Sequence, residues 1–85
     1  MFLFETILFY NSAPSYYKVY QQNAKFYFEA SPVEYYKHIS FPNFHLIDIN
    51  STWQTEGNVN ESLVEQAIED LSRHAYLYKQ EASFS

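Results

Sequence analysis

The side chains able to do acid–base or metal chemistry here are His38, His45 and His74, together with ten carboxylates; there is no cysteine. Without cysteine there are no thiolate nucleophiles, no thiolate metal sites and no disulfides. The histidines do not fall at the His-x-x-x-His or His-Glu-x-x-His spacings that build zinc sites, so no metal and no other cofactor is expected. His45 and Asp48 stand three apart in a stretch with strand character, which directs their side chains to opposite faces. His74 has one sequence-near acid on its own helix face, Asp70 at four residues' distance. An enzyme built on His38, His45 and Asp48 requires those three to converge in space, and nothing in their spacing imposes that. The single glycine, Gly57, leaves no phosphate-cradling loop. A non-enzymatic role is the expectation.

Recognition chemistry is better represented. Nine tyrosines and eight phenylalanines in 85 residues are more rings than so small a core can hide, and a buried tyrosine must also find a partner for its hydroxyl. Rings accompanied by few lysines suit protein recognition, because a tyrosine offers large contact area for little lost entropy. Acidity supplies the second feature. Residues 1–43 balance Lys18, Lys25 and Lys37 against Glu5, Glu29 and Glu34. The whole formal charge of -5 therefore belongs to residues 44–85, where Glu61, Glu65 and Glu69 form an i,i+4 ridge. The sequence thus points to a small protein-binding module of inhibitor, immunity or adaptor type. Tyr17, Tyr20, Tyr27 and Tyr36 are expected to supply apolar contact on one sheet face. Glu61, Glu65 and Glu69 are expected to steer toward a basic partner surface. Self-association through the same face is a variant. The alternative is a small-ligand or carbohydrate site, with Trp53 and the tyrosines as a stacking platform.

Several partner classes are disfavoured. An acidic chain does not hold phosphate backbones or anionic lipid unaided. Lys25-Phe26-Tyr27-Phe28 has the aromatic character of an RNA-binding strand, yet lacks the glycine and the fold order such a strand needs. Direct nucleic-acid binding is therefore not expected. No run reaches the ~20 apolar residues of a membrane span. The apolar start, Met1 to Tyr10, lacks a basic leader and carries Glu5 in its middle, so it reads as a strand rather than a signal peptide. A cytoplasmic location is the default expectation.

The elements that position these residues follow from hydrophobic period. Residues 2–10 are apolar on both parities, with Phe2, Phe4, Leu8 and Tyr10 on one face and Leu3, Ile7 and Phe9 on the other. That pattern fits a doubly covered central strand, or one whose second face meets a partner. Asn11 to Ser15 reads as a turn cluster around Pro14. Strands are expected near 16–21 and 24–30, joined where Asn23 tolerates a left-handed conformation. On the second of them Phe26 and Phe28 share one face, and Lys25, Tyr27 and Glu29 the other, a face that Tyr17 and Val19 are expected to extend on the neighbouring strand. Further strands are expected near 44–49 and 53–55. Val64, Ile68, Leu71, Ala75 and Tyr78 recur at helical spacing, giving one helix near 61–79. Its N-cap is Asn60 or Asn58, and Arg73 and Lys79 lie toward its C-terminal end. The expected fold is α+β: an antiparallel meander of four or five strands, with one C-terminal amphipathic helix packed on one sheet face.

Overall fold

The computed structural model describes residues 1–50, 52–56 and 59–78. One domain is formed by five strands, β1 (Phe2–Tyr10), β2 (Ala13–Gln22), β3 (Lys25–Ser31), β4 (Phe44–Ile49) and β5 (Thr52–Thr55), followed by helix α1 (Glu61–Arg73). The strands make a single antiparallel sheet in the order β1-β2-β3-β4-β5, and α1 packs on one face of it. Gly57, Asn58 and Lys79 lie outside the described residues.

Local chemistry accounts for the turns. Asn11 and Ser12 both have positive φ (52 and 68), as a tight two-residue hairpin matched to strand twist requires. Strand β2 consequently begins at Ala13, earlier than the expected residue 16. Pro14 is tolerated because it pairs with Phe9 beyond the point where β3 joins β2, at Tyr16 and Ser31, so no ladder partner waits for its missing N–H. Asn23 (φ 58) turns β2 into β3.

Register assigns the faces. One face carries Phe4, Leu8, Tyr17, Val19, Phe26, Phe28, Phe44 and Leu46, all buried, and α1 closes it with Leu63, Ala67 and Leu71. Each of the Phe, Leu and Val side chains contributes about 1.5–3 kcal/mol by leaving water. The helix runs antiparallel to β1, with Gln66 at Phe9, Asp70 at Thr6 and His74 stacked on Phe4 at 4.1 Å. Segment 32–43 covers part of the same face: Phe41 is buried against Tyr10, and the Tyr17 hydroxyl donates to the Pro42 carbonyl at 2.8 Å.

The helix starts as the Asn60 cap requires, with Asn60 Oδ1 accepting from the Leu63 N–H at 3.0 Å. It ends at Arg73, short of residue 79, and a 3-10 turn follows over Ala75–Leu77. Its buried stripe is Leu63, Ala67, Asp70 and Leu71. Val64 and Ile68, members of the apolar stripe expected from helical spacing, are half-buried on its flank. The small Ala67, fully buried within the stripe, lets α1 approach the sheet closely.

Strand β1 is an edge strand, not a central one, which leaves its second apolar parity facing outward. A register shift between Phe2 and Phe4 changes parity at the strand's start. Phe2 is thereby turned outward opposite Tyr20, while Leu3 packs against the core, the reverse of the simple alternation.

Candidate functional site

The outer sheet face, away from α1, is the candidate interaction surface. Its side chains are set by register: Glu5, Ile7 and Phe9 on β1; Tyr16, Lys18 and Tyr20 on β2; Lys25, Tyr27 and Glu29 on β3; His45, Ile47 and Ile49 on β4. Phe2, Ile7, Phe9, Tyr16 and Ile49 are all exposed there. Across the middle runs a charged row, Glu5 opposite Lys18 opposite Glu29. On one side of the row, Ile7, Pro14, Tyr16 and Val33 line an apolar groove of about 160 Å³. On the other side Tyr20 and Tyr27 face each other across strands, flanked by Phe2, whose ring meets Tyr20 edge-on at 5.7 Å. Tyr27 also lies against His45, their rings 5.5 Å apart. Gln22, Glu29, Asn43 and His45 join the two tyrosines around an open depression of about 560 Å³.

The expected site residues divide among several places. Tyr20 and Tyr27 stand on the outer face, half-buried and side by side. Tyr17 does not: it is 0% exposed, on the helix-covered face with Val19, so neither residue extends the Lys25-Tyr27-Glu29 surface. Its burial, with Tyr10 nearby, pushes the phenol up to about 12. Tyr36 belongs to a 3-10 turn, Glu34–Tyr36, and packs against the core, with Tyr35 edge-on at 4.9 Å. Tyr35 and Tyr76 are the most exposed tyrosines, and neither lies on the sheet. Trp53 is half-buried on the covered side, its ring edge-on to Phe26 at 5.4 Å. It therefore forms no platform with Tyr20 and Tyr27.

Glu61, Glu65 and Glu69 are exposed along the side of α1 opposite its buried stripe. Helical geometry turns that ridge directly away from the sheet. The acids and the outer-face tyrosines are thus on opposite sides of the domain, and one flat partner surface cannot touch both.

Asp70, His74 and His45 are tied up structurally, while His38 is exposed after the 3-10 turn and makes no side-chain hydrogen bond among the described residues. Asp70 is nearly buried; its Oδ2 accepts from the Thr6 hydroxyl at 2.7 Å and its Oδ1 meets the Arg73 guanidinium at 3.3 Å. His74 caps α1 and bonds through Nδ1 to the Asp70 carbonyl rather than its carboxylate. His45 Nε2 lies 2.8 Å from Glu56 Oε1, a partner eleven residues away that spacing alone did not reveal. Asp48 pairs with Trp53 on the opposite face from His45. Among the described residues no group of three His, Cys, Asp or Glu is placed to hold a metal ion, and no helix is long and apolar enough to cross a membrane.

One further contact was invisible to sequence reasoning. Gln66 on α1 pairs with the backbone of Phe9 on β1: its Oε1 accepts the Phe9 N–H at 2.8 Å, and its Nε2 donates to the Phe9 carbonyl at 2.9 Å. Comparison of the chain with protein-family models, with curated proteins and with solved structures found no match.

Proposed function

We propose that this chain is a non-enzymatic protein-binding domain, of inhibitor, immunity or adaptor type, which docks through its outer sheet face. The observation that carries this reading is that Phe2, Ile7, Phe9, Tyr16 and Ile49, all exposed, share one face with the half-buried Tyr20–Tyr27 pair. Two apolar clusters flank the charged row, Ile7 with Tyr16 on one side and Phe2 with Tyr20 and Tyr27 on the other, and exposed apolar surface of this kind marks interaction sites. The row Glu5-Lys18-Glu29 supplies register, since a partner must match alternating charges across three strands. The ridge Glu61, Glu65 and Glu69, facing the other way, acts over distance: with the chain's charge of -5 it favours encounter with a basic protein without joining the contact. Self-association through the outer face is the homotypic form of the same proposal.

Site-specific photo-crosslinking tests this. A photoreactive residue at position 16 or 20 should capture the same host protein, and one at Ser72, on the far side of α1, should not. Capture from Ser72 alone contradicts the proposal. A second reading rests on the depression beside Tyr20 and Tyr27, where ring faces meet the polar groups of Gln22, Asn43 and His45. A small polar ligand such as a sugar fits that chemistry. It would shift the Tyr27 and His45 ring resonances and leave Trp53 fluorescence unchanged.

A further inference from the structure

The two hydrogen bonds from Gln66 to Phe9 reveal which way the β1 backbone points. Phe9 pairs in register with Pro14, yet its N–H and C=O are satisfied by the helix rather than by β2. They therefore point away from the sheet. In an antiparallel ladder the outward-pointing residues recur every second position. The register between Phe4 and Tyr10 is unbroken, so Ile7 and Glu5 present their N–H and C=O outward as well. Among the described residues, no donor or acceptor reaches those four groups. The Gln66 amide closes one rung of this edge as a neighbouring strand would. Beyond Glu5 in the other direction, the register shift between Phe2 and Phe4 interrupts the edge. What remains is a two-rung opening with defined ends.

We propose that the β1 edge at Glu5–Ile7 is a strand-addition site for an extended peptide segment of another protein, antiparallel to β1, with a basic residue opposite Glu5 and an apolar residue opposite Ile7. Backbone rungs would supply the holding contacts, and alternate side chains the selectivity. Charge selects the occupant. Glu5 stands on the outer side of the edge with Lys18 beside it on β2 and no strand on its other side, and on the flank of α1 above, the Arg73 charge is already met by Asp70 and by Glu69. The whole chain carries -5. A second copy would add a further -5 and bring its own α1 toward the same space, because the helix packs along this edge strand. A basic segment meets neither obstacle. The inference concerns backbone groups rather than rings and stands whether or not the outer-face tyrosines bind a partner.

The test uses the whole chain, isotope-labelled, and an acetylated and amidated peptide, Thr-Val-Thr-Lys-Thr-Lys-Thr, whose valine and first lysine match Ile7 and Glu5. Titration should shift the Glu5 and Ile7 amide resonances and slow their exchange with solvent. The analogue with glutamate for both lysines should bind at least about tenfold more weakly, the equivalent of 1.4 kcal/mol. Ile7→Pro removes an outward N–H without touching the β2 ladder, a substitution that edge strands tolerate. It should lower affinity by about tenfold or more, and by more than Ile7→Ala, which keeps the N–H, since two rungs give only a handful of hydrogen bonds to lose; Ser72→Ala, on the far side of α1, should leave affinity unchanged. Absence of binding at millimolar peptide overturns the inference. So do shifts confined to Tyr20 and Tyr27, or equal binding by Ile7→Pro. Should Ile7→Pro fail to fold, the amide shifts of the wild-type chain and the glutamate analogue decide the matter alone.

Discussion

Tyr17 offers the sharpest check on how the core is built. Its ring is wholly buried, its hydroxyl donates to the Pro42 carbonyl, and its pKa is pushed from 10.0 to about 12. Burial is the main cause, with Tyr10 adding to it. Below the unfolded value both states keep the proton, so the contribution of this group is fully present. As pH rises from 10 toward 12, the unfolded chain sheds the proton while the folded chain holds it, and stability falls. Two units correspond to about 3 kcal/mol at most, lost across that window. Tyr17→Phe removes both the hydrogen bond and the titration. At neutral pH the variant should be about 1–2 kcal/mol less stable, since the Pro42 carbonyl loses its donor. Its deficit should then shrink above about pH 10 and vanish or reverse near pH 12. Urea unfolding of both proteins at several alkaline pH values measures this, and the difference between them cancels the lysines and remaining tyrosines. A deficit that stays constant from neutral pH to pH 12 would refute the reasoning, as would phenolate absorbance showing all nine tyrosines ionising together in a folded protein.

Asn60→Ala should lower stability by about 1 kcal/mol through loss of the bond to Leu63, read as a lower melting temperature; an unchanged melt removes the cap from the account. Asp70→Ala should cost about 2–3 kcal/mol, because the Thr6 hydroxyl loses its acceptor and Arg73 loses one of its two carboxylates. Pairing it with Thr6→Val in a double-mutant cycle should show coupling, and strict additivity would contradict the contact. Leu63→Ala, at a site with no exposure, should cost about 2–5 kcal/mol in chemical unfolding.

How much of this was legible in the sequence depends on how local the determining forces are. Asn60, Asn23 and the β4 alternation are properties of a few neighbouring residues, and they appear where the pattern places them. The meander with one covering helix follows from counting faces. What failed was parity. Strands β1 and β2 are apolar on both sides, so period alone cannot say which side is covered; Tyr17 and Tyr20 look alike and lie on opposite faces. Their spacing of three already separates them, and only the register Tyr20↔Tyr27 says which of the two shares a face with Tyr27. A single bulge at Phe2–Phe4 likewise exchanged the fates of Phe2 and Leu3. The Gln66–Phe9 bonds join residues 57 apart, and His45 meets Glu56 across a hairpin. No periodicity encodes such meetings. The acidic ridge was read correctly as exposed, but the direction it faces relative to the rings is a tertiary fact.

Hydroxyl-radical footprinting of the chain, alone and bound to the protein captured by crosslinking from position 16 or 20, tests the outer-face reading most directly. Oxidation of Phe2, Phe9, Tyr16 and Tyr20 should fall in the complex, with Tyr76 unchanged. Protection of Tyr76 or Tyr35 while the four sheet residues remain as reactive as in the free chain would contradict it.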